Sequence, residues 1–324
     1  MTTRTRTLAQ WVLAGALGAL MAPLACAQAW PAKPIKLIVP APPGTAPDIA
    51  ARAIADKLAE AWGQSMLVEN KPGAGCGIAV DAARKAAPDG YTLMLAQAAC
   101  VVVSPYTFKS FKADMDKEFS YLSIVGVTPM MIVATPAAPS KTLKEVVAQA
   151  RANPDKVSMG NPAFTTIPHL TAELIAQRTG VKLYQVPLGT SGVTAVVRGD
   201  VEYAIDGVAT MLPMVKAGKT RVIAVTADTV HPGLEGYALA HDAVPGLDVY
   251  GWFALMAPQG LPDNVKAKIN SDVNKIVAHA DVLERFATFG TYPRPGTLQE
   301  AANFVKKEQM VWAKVIKEAN IQPE

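Results

Sequence analysis

The sequence predicts an α/β fold in two lobes, each a mainly parallel sheet flanked by helices, with a cleft between the lobes. Three observations predict it. Short apolar runs alternate with helical patterns along almost the whole chain, as parallel sheets with crossover helices require. Half of the 324 residues are hydrophobic and only 6% aromatic, a balance that suits a large Ala/Val/Leu-rich core. The length exceeds that of one ordinary domain, and two apolar runs, near residues 122–133 and 250–258, look like places where the chain crosses between lobes.

The first element is a strand at Ile35–Val39, stopped by Pro40, which cannot continue a central ladder. Pro42-Pro43-Gly44 then makes a turn, and Pro47-Asp48 opens an amphipathic helix over Asp48–Trp62 carrying Ile49, Ile54, Leu58 and Trp62. Strands follow at Met66–Glu69 and Thr92–Ala96, with a helix Ile78–Ala86 between them. Leu122–Val127 and Met130–Ala134 read as two strands parted by Thr128-Pro129. Further strands are expected at Val157–Gly160, Leu183–Val186, Tyr203–Asp206, Val222–Thr226 and Trp252–Met256. The helices among and after them are Leu143–Ala152, Pro168–Thr179, Val193–Arg198, Thr210–Ala217, Asp263–Ala278 and Leu298–Ala319. Asn153-Pro154, Gly180 and Gly218 stand where helices should stop. The resulting division is a leader over residues 1–29, lobe 1 over 30–128 plus 250–324, and lobe 2 over 129–249.

The N-terminus carries Arg4 and Arg6, an uncharged apolar stretch from Leu8 to Leu24, and the small-residue run Ala25-Cys26-Ala27-Gln28-Ala29. That is the layout of a secretory signal peptide, cleaved after Ala27 or Ala29, and it predicts an exported mature protein. A retained membrane anchor is the competing reading, opposed by Pro23 and the small-residue end. The charge balance, 31 basic against 27 acidic residues with no basic–aromatic cluster, gives no support to nucleic-acid binding. Cys76 and Cys100 remain in the mature chain; they read as free, buried small residues, with a bridge left open by the oxidising compartment.

Two segments point to an anion site. Pro42 to Asp48 is strand, tight loop and helix start, and a helix start offers unpaired N–H groups and the positive end of the macrodipole. Asp48 either caps the helix or meets a ligand group through water. Met159 to Leu170 repeats the pattern: Gly160 and Asn161 lead through Pro162-Ala163-Phe164 to Thr165 and Thr166, which cap or donate a hydroxyl, and to Pro168-His169 in the first turn. Gly189-Thr190-Ser191-Gly192 supplies hydroxyls and free N–H groups after another strand. Asp206 ends a strand and either accepts from a ligand or caps the next helix. Gly73-Ala74-Gly75-Cys76-Gly77 resembles a dinucleotide fingerprint, but Ile78 fills the third glycine position, so a tight loop is the better reading. The four His are scattered without metal-ligand spacing and Ser191 lies outside a nucleophile elbow, so no enzyme, cofactor or metal is expected.

WPAKPIKLIVPAPPGTAPDIAAR, VENKPGAGCGIAVDAARKAAPDGYTLML, HLTAEL, VKAGKTRVIAVTA and WFALMAPQGLPDNV resemble the Bug-type receptors, the extracytoplasmic solute receptors of tripartite tricarboxylate transporters, from Trp30 nearly to the C-terminus. The resemblance implies a type II-like periplasmic binding protein that closes on a small carboxylate and serves membrane transporter subunits. It implies ligand-binding residues in the loops at Pro43, Gly44, Thr45, Ala46 and Asp48 and at Gly160, Asn161, Thr165, Thr166 and His169, with Gly44, Thr45, Gly160, Asn161 and Thr165 as the carboxylate donors. Three departures fall on the expected cleft. Gly44-Thr45 stands for two glycines, Ala96 to Cys100 (with Gln97) for a GTSGT loop, and Val186-Pro187-Leu188-Gly189 for VPYKG. They remove polar groups and add apolar volume, so the expected ligand is aromatic or weakly polar. A monomer is expected. A ligand sensor feeding a membrane signalling partner is the alternative, with a periplasmic hydrolase behind it.

Overall fold

The computed structural model describes residues 30–189 and 192–323. The leader reading and Thr190 therefore lie outside the described residues. From Lys33 onward the chain packs as one compact unit.

Strand β1 (Ile35–Val39) begins the unit, its side chains buried except Lys36, and Pro40 ends it as the sequence requires. Helix α1 (Ala46–Trp62) follows, burying Ala50, Ile54, Leu58 and Trp62 along one stripe, and stops at Gly63, whose φ of 64° is the left-handed conformation of a helix C-terminus. It carries the chain to β2 (Met66–Asn70), parallel to β1. A short 3-10 turn at Ala74–Cys76 and α2 (Gly77–Arg84) then lead to β3 (Thr92–Gln97), parallel to β1 on its other side. Gly75 is required there: a Cβ would collide with the ring of Phe108. The glycine run is thus a close-approach loop.

Three short helices that the sequence pattern does not show follow β3: α3 (Ala98–Val102), α4 (Ser104–Thr107) and α5 (Met115–Glu118). Next comes β4 (Phe119–Ala134), one strand of 16 residues where two were expected. Pro129 does not break it, because it falls where β4 changes neighbours. Up to Pro129 the strand pairs with a later strand, and from Met130 it pairs with others, so the missing N–H coincides with the handover.

The second half holds α6 (Leu143–Ala152), started by a Thr142/Glu145 capping box, then β5 (Ser158–Asn161), α7 (Ile167–Thr179), β6 (Tyr184–Pro187), α8 (Gly192–Arg198), β7 (Tyr203–Gly207), α9 (Val208–Lys216) and β8 (Arg221–Val225). The chain returns through β9 (Tyr250–Pro258), α10 (Asp263–Ile276), α11 (Ala280–Ala287), β10 (Tyr292–Pro293) and α12 (Leu298–Glu318). Strand order is β2-β1-β3-β9-β4-β7-β5-β6, with β8 and β10 also on β4. Among the strands, β4 is the one that pairs with both the half containing β1 to β3, through β9, and the half containing β5 to β8. Helix α12 lies against both: it packs on β4, and Gln177 of α7 donates to the Val315 carbonyl at 3.0 Å.

Candidate ligand-binding site

Strand directions place the expected loops. β1 and β3 are parallel, β3 is antiparallel to β9, and β9 is antiparallel to β4, so β1, β3 and β4 all point toward the second half. β7 is antiparallel to β4 and β5 is parallel to β7, so both point back toward the first half. The carboxyl ends of the two strand sets therefore face each other across the stretch of β4 around Thr128–Met130. Gln97 closes the first set beside Phe253, which pairs with Gly126; Gly207 closes the second beside Met130. Those rungs lie four steps apart along β4, a gap of about 13 Å, room for a small solute in the position where α/β sheets hold ligands.

On the first side, α1 begins without a side-chain cap. Thr45 is its N-cap, but the Thr45 hydroxyl donates to the Pro42 carbonyl at 2.7 Å, and Pro47 in the first turn has no N–H. The N–H groups of Ala46 and Asp48 head the helix with the macrodipole behind them. The Asp48 side chain does not cap the helix, one of the two roles expected of it. It is 3% exposed and turned back, accepting from the Gly44 N–H at 2.9 Å, Asn70 Nδ2 at 2.9 Å and Arg52 Nε at 3.1 Å. The N–H of Gly44 is consequently taken, which corrects the reading of that group as a ligand donor. Burial opposes the charge on Asp48, but the bonds from Arg52, Gly44 and Asn70 outweigh it and hold the carboxyl below its ordinary range. Asp48 clamps the loop; Pro43 is exposed on its outside.

On the second side, Thr166 caps α7, accepting from His169 N–H at 3.4 Å and donating to the Ala163 carbonyl at 2.7 Å. Thr165 has a φ of 60°, and its hydroxyl donates to the Phe164 carbonyl at 2.6 Å. Both hydroxyl protons are thus engaged within the loop. The loop after β6 is stitched to this one: Leu188 N–H donates to the Asn161 carbonyl and Gly189 N–H to the Pro162 carbonyl, each at 2.8 Å. Gly160 is buried against Leu188, whose Cδ1 stands 2.5 Å from where a Cβ would be. Asn161 is 1% exposed; its Nδ2 donates to Gln185 Oε1 at 3.3 Å while its Oδ1 has no partner. His169 is 4% exposed with Nδ1 unpartnered, and burial pushes its pKa down to about 4, so the ring is neutral. Phe164, 53% exposed, meets the His169 ring edge-on at 5.1 Å.

Gln97, half-buried, stands at the N-cap position of α3 without a side-chain bond into the helix. Behind it Cys76 and Cys100 form a disulfide with Cα atoms 5.5 Å apart, which corrects the expectation of free thiols: the turn before α2 and the start of α3 bring two positions 24 residues apart together. Asp206 accepts from the Gly207 N–H at 2.7 Å, and burial raises its carboxyl above the ordinary range against bonds from Gly207 and Thr210. It braces the start of α9. Sequence reasoning missed Arg52, Asn70, Phe164, Glu173 and Gln185; only Arg52 and Glu173, four residues after Asp48 and His169 on the same helices, carried a readable signal. Among the described residues no group of three or more His, Cys, Asp and Glu converges as a metal site, and no helix is long and apolar enough to cross a membrane.

A family model described as "Tripartite tricarboxylate transporter family receptor" matches residues 50–321. The chain belongs to that family. It is 31% identical to protein BugT of Bordetella pertussis over 320 residues, covering 97% of each chain. It is 32% identical to a UPF0065 protein of Bordetella bronchiseptica, covering 96% of this chain and 93% of that one. Among solved structures it resembles R. palustris Rpa4515 with adipate, at 28% identity and TM-score 0.74 over 91% of this chain and all of that one. It also resembles MatC from Rhodopseudomonas palustris with bound malate, at 27% identity and TM-score 0.70 over 89% of this chain and all of that one. This is a family of solute-binding receptors rather than of enzymes, and the resemblance read from the sequence is borne out.

Proposed function

We propose that this receptor captures a small carboxylate in the periplasm, between lobe 1 (residues 30–128 plus 250–324) and lobe 2 (129–249), and presents it to the membrane subunits of a tripartite transporter. The observation that carries the reading is the pair of helix starts, α1 and α7, set at strand ends that face one another across a single gap. Two such ends provide main-chain donors and favourable dipoles for the carboxylate without charged side chains. The donors are the N–H groups of Thr45 and Ala46 on one side and of Thr165 and Thr166 on the other, with Gln97 at the edge. The R. palustris neighbours with adipate and malate support the carboxylate class.

The ligand body is aromatic or weakly polar. Phe164 stands exposed on the second loop and Leu188 covers Gly160, while Ala96, Ala98 and the bridged Cys100 at the end of β3 are buried and leave no polar side chain there beyond Gln97. Closure of the lobes over the ligand creates the surface that the transporter reads. A thermal-shift screen followed by calorimetry over aliphatic and aromatic carboxylates tests both statements, because a solute that binds only the folded form raises its melting temperature. Tight binding of malate or citrate with no response to aromatic acids defeats the ligand reading. No response to any carboxylate defeats the receptor reading.

A further inference from the structure

At the second loop runs a chain of polar groups, buried at Asn161 and His169 and half-buried between them, that reaches from one element to the next. Asn161, at the end of β5, donates from Nδ2 to Gln185 Oε1 on β6 at 3.3 Å. Gln185 Nε2 donates in turn to Glu173 Oε1 on α7, and that carboxylate lies 3.9 Å from His169 Nε2 one turn earlier. The two ends of the chain are Asn161 Oδ1 and His169 Nδ1, both buried and both without a partner. An unpaired buried acceptor costs free energy, so a pair of them at a binding loop marks where a ligand's own donors belong.

We propose that this relay makes Glu173 a positioning residue that sets what the receptor accepts next to the carboxylate: with Glu173 ionised Asn161 offers an acceptor and selects a hydroxyl- or amine-bearing acid, and with Glu173 protonated it offers a donor and selects an oxo acid. The side-chain inventory permits the reversal. An ionised Glu173 only accepts, so Gln185 gives its NH2 to Glu173 and its oxygen to Asn161, which leaves Asn161 Oδ1 unpaired. A protonated Glu173 keeps one acceptor oxygen and gains an O–H; when that O–H donates to Gln185 Oε1, Gln185 Nε2 donates to Asn161 Oδ1 and the Asn161 NH2 becomes the unpaired group. Both amides turn over and no bond in the chain is lost. The inference rests on the carboxylate-receptor reading and adds the polarity of the group beside the carboxylate.

The surroundings permit the switch. The groups facing Glu173 are His169 on its own helix and Gln185 on β6; among the described residues no cation pairs with it, and His169 is neutral. Burial raises the Glu173 carboxyl above its ordinary range, against the bond from Gln185.

The test is calorimetry at about pH 5 and about pH 8 with acids matched in skeleton: lactate and pyruvate, malate and oxaloacetate, mandelate and phenylglyoxylate. At the higher pH the hydroxy acid of a bound pair should be favoured about tenfold, and the preference should shrink or reverse at the lower pH. Glu173→Gln should make the ratio independent of pH, since an amide there donates or accepts without a proton. Gln185→Leu, which severs the chain while keeping Glu173, should do the same and serves if the first variant does not fold. A pH-independent ratio in the unmodified protein, or a pH dependence that survives in a folded variant, overturns the relay while leaving the receptor reading intact. Failure of every acid to bind removes both.

Discussion

Replacing Asp48 by Asn tests the clamp on the first loop. The substitution keeps shape and one acceptor oxygen but removes the charge that holds Gly44, Asn70 and Arg52 together. A hydrogen bond to a charged group contributes roughly 1.5–3 kcal/mol. Arg52 is half-exposed, so its share is screened by solvent, and Asn70 retains its bond to the Ala41 carbonyl. The net cost is about 2 kcal/mol, a fall in Tm of about 3 °C for a chain of this size. The sign with pH is fixed by linkage. Asp48 titrates lower in the folded chain than unfolded. Its contribution is therefore whole above the unfolded carboxylate pKa and fades as pH falls through the folded one. Melting curves of the two proteins at about pH 7 and about pH 3 should differ more at the first than at the second. Equal Tm at neutral pH, or a gap as wide in acid as at neutrality, refutes the clamp.

Reducing the Cys76–Cys100 bridge, which closes a loop of 24 residues, should cost about 3 kcal/mol and lower the melting temperature; an unchanged melt would deny it a stabilising role. Glu308 is 6% exposed and accepts from Trp312 Nε1 at 3.0 Å and Trp252 Nε1 at 3.3 Å, and burial raises its carboxyl. A carboxyl raised by folding loses stability as pH climbs from its unfolded toward its folded pKa, so Glu308→Gln should match the parent near pH 5 and melt higher near pH 8. Gly160→Ala should cost about 1–3 kcal/mol in denaturant melts by pushing Leu188 aside, and a second change, Leu188→Ala, should recover most of what the collision costs.

Periodicity exposed the elements whose residues talk to their near neighbours. Ile35–Val39 and its stop at Pro40, the stripe of Ile54, Leu58 and Trp62, and the stop at Gly180 are local statements, and they reappear within a residue or two. Pro129 misled for the same reason: its effect depends on which strand lies beside it, and β4 exchanges partners at that point. The short helices after β3 fill space left by other elements, and no amphipathic stripe announces them.

The site divides along the same line. That strand–loop–helix junctions bind anions was readable, because an unpaired helix start is a property of the local chain. Which groups remain free was not readable, because the answer lies in partners brought by strand register. Gly44 loses its donor to a carboxylate whose other partner, Asn70, arrives from β2, at the rung where Val39 meets Asn70. Asn161 keeps a bare oxygen because Gln185 arrives from β6, at the rung where Met159 meets Gln185. A one-residue slip in either pairing would turn those side chains to the opposite face and change which loop atoms stay free for a ligand. Which loop atoms stay free for a ligand is thus set by sheet register as well as by loop composition. On the proposed reading, the three departures from the family pattern set how apolar the cleft is, while the Asn161–Gln185–Glu173 chain sets which hydrogen-bonding role Asn161 presents.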